Sequence, residues 1–370
     1  MSFCCEFQGC NNETNVSAVI FDLDGTLLDT ERATRGVLNE FLGKYGKELN
    51  KEREEKKRLG MTQKDSAALI VKDYQLPLTS DQFIKEINPL YRERWREVKA
   101  LPGANRIIKH FAKNGVPMAL ASNSLKEYIY AKISQHKGWT ESFSVILGHD
   151  QVKFGKPAPD LYEEAAKRLE VHAANCLVIE DSLVGVKAAN AAKIKVVAVP
   201  SRGESDCSKL ANVTLNSLLE FQPELWGLPP FDDWVDNTLP IEPIHLNGLY
   251  VNGSLLGTTE NATFAIPDQV VGLYFGWAKF DSDKNFKILV SIHLDFSSVA
   301  YKKIDVWLID ANTDLTSDQN KMQICLVGYI RAWDNKLHEQ KLGPMERKKL
   351  EEYKSIARAS LDLPLFSNFC

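Results

Sequence analysis

The sequence predicts an α/β protein: a Rossmann-like core with a parallel sheet and a helical cap inserted after the first strand, followed by a small β-barrel. Three observations lead there. Short continuous apolar runs alternate with helical patterns up to about residue 199, a helical stretch without strands separates the first two runs, and a proline-rich passage is followed by short runs of alternating polarity.

The first apolar run, 17–22, reads Ser-Ala-Val-Ile-Phe-Asp and ends in a carboxylate, as a strand buried on both faces should. Similar runs follow at 117–121, 144–147, 176–179 and 194–199, with helical patterns at 125–136, 160–170 and 183–192. Strand–helix alternation of this kind gives a parallel, doubly wound sheet with ligands at the carboxyl ends of its strands. Residues 31–100 hold amphipathic helical segments and read as the cap, in which the charged run 51–58 fits a solvated helix face. The span 222–244 contains five prolines among aromatic residues and reads as an ordered connector. Alternating runs at 271–278, 286–293, 303–309 and 322–331 predict the barrel, closed by a charged helix at about 344–359. The domain reading is therefore a mobile tail over 1–15, a first domain over 16–220, a connector over 221–244 and a barrel over 245–370.

Composition narrows the function classes. With 44% hydrophobic residues and a net charge of −4, packed cores are available and no basic excess draws nucleic acid. No apolar run reaches the roughly 20 residues that span a bilayer, and the N-terminus lacks a secretory pattern, so a cytoplasmic protein with no membrane partner is expected. The seven cysteines fit no zinc spacing and read as reduced thiols. The sequence assigns no oligomeric state.

Chemistry is concentrated at the predicted strand ends. Asp22-Leu-Asp24-Gly-Thr26 follows the first strand, and a turn at Gly25 lets a side chain and a backbone carbonyl converge on a cation such as Mg2+. Ser122-Asn123 follows the 117–121 strand, Gly155-Lys156-Pro157 precedes the 160–170 helix, and Glu180-Asp181-Ser182 follows the 176–179 strand. Singly, Lys156 fits a loop lysine and Glu180-Asp181 a helix cap. Jointly, all of these pieces fall on one edge of one sheet.

In that order the pieces resemble the four motifs of the haloacid dehalogenase-like hydrolase superfamily, and the helical insert resembles its cap. The resemblance implies that Asp22 attacks phosphorus, that Asp24 serves as acid and then base, and that Lys156 offsets the carboxylate charge. It further implies that Ser122 and the backbone at Asn123 bind phosphoryl oxygens. Asp22, the Asp24 carbonyl and Asp181 would hold Mg2+, with Glu180 ligating directly or from behind them. Asp24 favours a phosphate ester over a halide, because a leaving alkoxide needs a proton and a halide does not. A phosphomutase uses the same residues and stays open.

A longer resemblance is to the plant bifunctional FMN hydrolase/riboflavin kinase family. It is carried by Leu120-Ala-Ser-Asn-Ser124, Phe154-Gly-Lys-Pro-Ala-Pro-Asp160 and Leu177-Val-Ile-Glu-Asp-Ser182. It continues through Trp226-Gly-Leu-Pro-Pro-Phe231, Trp234, Leu239-Pro-Ile-Glu-Pro243, Gly272-Leu-Tyr-Phe-Gly-Trp-Ala278, Leu326-Val-Gly-Tyr-Ile-Arg331 and Leu361-Asp-Leu-Pro364. It implies a flavokinase-like barrel. The departures sit in the kinase chemistry: residues 248–268 lack that family's Pro-Thr-Ala-Asn, the Asn-Pro expected near 294–296 is replaced, and Asp305 stands where the kinase carries a glutamate. In the cap, Met61 follows Gly60 where relatives often carry a basic residue, which makes the substrate mouth more apolar unless Met61 is a packing residue.

The expected protein is thus a Mg2+-dependent phosphomonoester hydrolase acting on a small phosphorylated metabolite, FMN first, with a barrel that no longer phosphorylates. The alternatives are a phosphatase for a sugar or prenyl phosphate, a fully bifunctional enzyme, and a flavin- or partner-binding protein with incidental hydrolysis.

Overall fold

The computed structural model describes residues 15–50, 61–201, 204–257, 266–280, 284–294, 302–309, 320–332 and 344–366. The tail 1–14 with its cysteines, the charged run 51–58, Gly60, residues 258–265 of the kinase-loop region, residues 295–296 and Cys370 lie outside these. The chain divides into two compact units, Met1–Pro230 and Phe231–Cys370.

The first unit is built on six parallel strands: β1 (Ala18–Phe21), β2 (Met118–Ser122), β3 (Val145–Gly148), β4 (Cys176–Glu180), β5 (Lys195–Ala198) and β6 (Val213–Thr214), in the order β3-β2-β1-β4-β5-β6. β1 is four residues long and wholly buried, because β2 and β4 flank it and helices cover both faces. Ala18 and Ile20 pack with Leu161, Tyr162, Ala165, Val186 and Ala189 from helices Asp160–Arg168 and Leu183–Ala191. Phe21 meets Phe111 of helix Ala104–Lys113 and Phe143 on the other side, with ring centroids 6.5 and 6.2 Å apart. β6 lies beyond the strands read from sequence; at two residues it is too short to leave a periodic signal.

The insert is helical, as expected, with helices Thr30–Ala33, Val37–Gly43, Gln63–Asp73 and Ser80–Trp95 among the described residues. Phe41, Ile70, Phe83 and Ile87 give it a core of its own. Its two connections to the sheet run side by side: Asp29 N donates to Lys99 O at 3.0 Å and Leu101 N to Leu27 O at 2.9 Å. Thr79 starts the long cap helix with a capping box, its hydroxyl accepting from Gln82 N while Gln82 Oε1 accepts from Thr79 N.

In the second unit β7 (Leu239–Val251), β8 (Ser254–Leu256), β9 (Gly272–Lys279), β10 (Asn285–Leu294), β11 (Lys302–Leu308) and β12 (Asn320–Arg331) close into an antiparallel barrel, and helix Pro344–Leu361 packs on it through Leu350, Ala357 and Leu361. The alternating runs become β9 to β12. β7 takes in the Leu239–Pro243 stretch read as connector. Pro243 falls where β12 shifts register between Leu326 and Gly328, and Pro240 pairs with Gly328 at the edge of that shift. Asn252 and Gly253, both at positive φ, form the two-residue turn into β8. Cys176, Cys207 and Cys325 are buried free thiols.

Candidate active site

Parallel strands end together, so the residues that follow them converge. Asp22 follows β1 and keeps a strand-like bond from its N to Ile179 O at 3.0 Å; Ser122 ends β2 and Glu180 ends β4, the two neighbours of β1. Gly25 turns the chain at φ +88°, and a Cβ there would lie 2.3 Å from Asp181 Oδ2, so this turn accepts only glycine.

Lys156 is the hub. Its ammonium is 2.6 Å from Asp22 Oδ1 and 2.7 Å from Glu180 Oε1, and the lysine is only 5% exposed. Glu180 has no solvent contact and accepts from five donors: Lys156 and the Tyr162 hydroxyl (2.8 Å) on Oε1, and Asp181 N (2.9 Å), Ser182 N (2.9 Å) and Ser182 Oγ (3.0 Å) on Oε2. Asp181 accepts from the hydroxyls of Thr26 at 3.0 Å and of Ser201. Asn123 turns its side chain to the Lys156 backbone, accepting from Lys156 N at 2.8 Å and donating to Lys156 O at 3.2 Å. Ser122 is buried, and its Oγ accepts from Ser124 N at 3.1 Å.

Two acids, Asp22 and Glu180, share this lysine, and a third, Asp181, lies beside them. Carboxylate oxygens of Asp22, Glu180 and Asp181 lie within 4.8 Å of one another. Burial pushes the Asp22 carboxyl up to about 7 against the pull of Lys156, and the charges of Glu180 and Asp24 add to the rise. Asp181 is also raised, by burial first and then by Glu180 and Asp22. Burial disfavours the Lys156 ammonium, yet Asp22 and Glu180 more than offset it. A buried carboxylate cluster short of positive charge, made only of oxygen donors, fits a hard divalent cation.

Asp24 has separate partners. Its carboxylate accepts from Ser124 Oγ at 2.8 Å and from Lys132 Nζ at 2.7 and 2.8 Å. Burial pushes its carboxyl up, but Lys132, Ser124 and Thr30 outweigh this and hold it below the ordinary range. The sequence reading missed Lys132, Tyr162 and Ser201. Lys132 had a usable signal, since it falls on the apolar face of its helix beside Tyr128, Ile129 and Ile133.

Met61 is 38% exposed, and the next residue, Thr62, caps helix Gln63–Asp73. Thr62 Cγ2 lies 3.1 Å from the position a Cβ on Gly155 would take, which places this cap segment beside the Lys156 loop. Asp305 belongs to the barrel unit, on β11. It is buried, with Oδ1 accepting from Ser254 Oγ at 2.8 Å and pairing with Lys303 Nζ at 3.2 Å.

The family model for haloacid dehalogenase-like hydrolases matches residues 19–199. The bifunctional riboflavin kinase/FMN phosphatase of Arabidopsis thaliana is 42% identical over 368 residues, covering 95% of each chain. This chain belongs to the haloacid dehalogenase-like hydrolase family. Within it, a probable pseudouridine-5'-phosphatase of Drosophila melanogaster is 36% identical over 227 residues, 59% of this chain and 96% of that one. The crystal structure of CbbY from Rhodobacter sphaeroides in complex with phosphate superposes with a TM-score of 0.51 at 26% identity, over 55% of this chain and 96% of the other. The protein is a haloacid dehalogenase-like phosphatase, a hydrolase of phosphate esters.

Proposed function

We propose that the first unit hydrolyses FMN to riboflavin and phosphate, with Asp22 as nucleophile and Asp24 as proton carrier. The observation that carries the chemistry is the Lys156 bridge: one ammonium on Asp22 and Glu180 aligns the nucleophile and partly offsets the cost of ionising it in a buried place. An Asp22 carboxylate oxygen attacks phosphorus and the bond to the leaving alkoxide breaks, while Asp24 gives that oxygen its proton. Asp24 then takes a proton from the water that attacks the aspartyl phosphate, and phosphate leaves with Asp22 restored. Ser122 and the Asn123 main chain receive the phosphoryl oxygens. Asp22, the Asp24 carbonyl and Asp181 would hold Mg2+, with Glu180 fixing Lys156 behind them. Bound there, Mg2+ would neutralise charge that builds on the phosphoryl oxygens.

Support for FMN comes from the likeness to the plant enzyme along nearly the whole chain. Met61 and the 56%-exposed Phe154 add apolar surface where the cap segment meets the Lys156 loop, which suits a ring system. No described helix is long and apolar enough to cross a membrane, and we place this activity in the cytosol. Phosphate release from FMN, with Mg2+ and with a chelator, tests the reading. FMN should be cleaved faster than glycerol, pseudouridine, sugar or prenyl phosphates. Rapid cleavage of one of those with FMN untouched overturns the flavin assignment and keeps the phosphatase.

A further inference from the structure

Lys132 serves no role in the reading above, yet it is one of the most costly placements in the fold. It is 4% exposed, on the inner face of the core helix Lys126–Ile133. A buried ammonium is unfavourable unless it is paired. Here it reaches both oxygens of Asp24, at 2.7 and 2.8 Å, and Ser124 Oγ at 3.1 Å. Its other neighbour comes from the cap: Nζ lies 5.0 Å from the ring centroid of Trp95, the last residue of helix Ser80–Trp95.

This contact ends a seam between the cap helix and the core helix. Asn88 donates to the Tyr128 hydroxyl at 2.6 Å, Arg92 pairs with Glu127 at 3.1 Å, and the Trp95 and Tyr128 rings are 4.9 Å apart. A strut that only docked the cap would need no charge at its end; leucine or methionine would fill the same space. The charge is accounted for by Asp24.

We propose that Lys132 is a positioning residue for phosphate-ester cleavage: it fixes the Asp24 carboxylate, and its contact with Trp95 ties that placement to the seating of the cap. The inference rests on Asp24 being the proton carrier. With the cap seated, Lys132 and Ser124 hold both oxygens of the ionised Asp24; once Asp24 takes up the proton it delivers, the oxygen that carries it gives up its bond to Lys132 and the other oxygen keeps the carboxyl in place. When the cap lifts, the ring leaves the ammonium and Asp24 loses part of its hold. Proton delivery is then confined to the state in which the cap excludes water, and a misplacement of about 1 Å is enough to cost on the order of a hundredfold in rate.

The test uses the full chain with Mg2+, comparing FMN, whose leaving alkoxide needs a proton, with p-nitrophenyl phosphate, whose leaving group does not. The variants are Lys132→Met, Lys132→Arg, Trp95→Leu, Asp24→Asn and the Asp24→Asn/Lys132→Met pair. kcat/KM reports every step up to departure of the leaving group. For Lys132→Met it should fall by about a hundredfold with FMN and stay within about threefold of wild type with p-nitrophenyl phosphate. Lys132→Arg should recover part of the loss, Trp95→Leu should show a smaller loss with the same substrate pattern, and Lys132→Met should add nothing to Asp24→Asn. Equal losses on both substrates, or a further loss in the Asp24→Asn background, overturn the proposal. Should Lys132→Met fail to melt cooperatively, Lys132→Arg and Trp95→Leu decide by the same substrate pattern. Wild-type turnover by Asp24→Asn would instead sink the proton-carrier reading itself.

Discussion

Lys156 Nζ sits 2.6 Å from Asp22 Oδ1, and the same ammonium is anchored 2.7 Å away on Glu180. The nucleophile we propose is thus aligned by a cation that is itself held by a carboxylate with five donors. Asp22→Asn keeps the shape of the site and removes the attacking carboxylate. Phosphate release should drop by about 10³-fold or more, with the melting transition kept. Normal turnover by this variant in a phosphate-release assay would rule out the aspartyl-phosphate route.

Removing the cation has a different signature. Lys156→Met leaves Asp22 and Glu180 buried against each other without their shared partner, and breaking such a buried pair costs about 3 kcal/mol or more. Chemical denaturation of the metal-free variant should show a clearly lower midpoint than wild type. An unchanged midpoint would mean that the pair contributes nothing net to folding.

The acid cluster predicts how metal binding responds to pH. In the metal-free fold the Asp22 carboxyl is raised from 3.8 to about 7, so the folded state holds a proton that the unfolded chain has released. The sign follows from linkage: stability from this group is present below about pH 4 and is lost as pH rises through about 7. A bound cation must displace that proton at lower pH. The rise in melting temperature on adding Mg2+ should therefore be small near pH 5.5 and larger near pH 8. A shift that is constant across this range would detach metal binding from Asp22.

Gly185 sits on helix Leu183–Ala191 against the back of the site, where an added Cβ would fall 1.6 Å from Glu180 Oε1. The Glu180 carboxylate cannot swing away without giving up its donors. Gly185→Ala should cost about 1–3 kcal/mol by overpacking and lower kcat by displacing Glu180 and with it Lys156. Wild-type melting and turnover would show that the carboxylate has room to move.

The barrel should not phosphorylate riboflavin. A kinase must hold the ATP phosphates and their metal in line with the acceptor hydroxyl, and residues 248–268 lack the Pro-Thr-Ala-Asn run that the related kinases carry there. Asp305 has its Oδ1 engaged by Ser254 and Lys303. Incubating the Asp22→Asn protein with riboflavin, ATP and Mg2+ prevents any product from being hydrolysed; no FMN should accumulate. Robust FMN formation would restore the bifunctional reading.

The sequence by itself determined the sheet, the helical insert and the convergence of Asp22, Lys156, Glu180 and Asp181. The reason is that parallel strands of similar length finish at one edge, so a polar residue placed just after each apolar run must land beside the others. It did not disclose how those residues divide their bonds. Asn123 gives its side chain to the Lys156 backbone, and Glu180 gathers five donors. Two of the five prolines that read as a connector, Pro240 and Pro243, sit in β7, at a register shift in β12. Lys132 carried a signal of burial in its helix pattern, but its role did not show there. Its partners, Asp24 and Trp95, lie far from it in the chain, on the first strand's turn and on the cap. Only tertiary packing brings them together, because the energy of a buried charge depends on neighbours that sequence spacing does not specify.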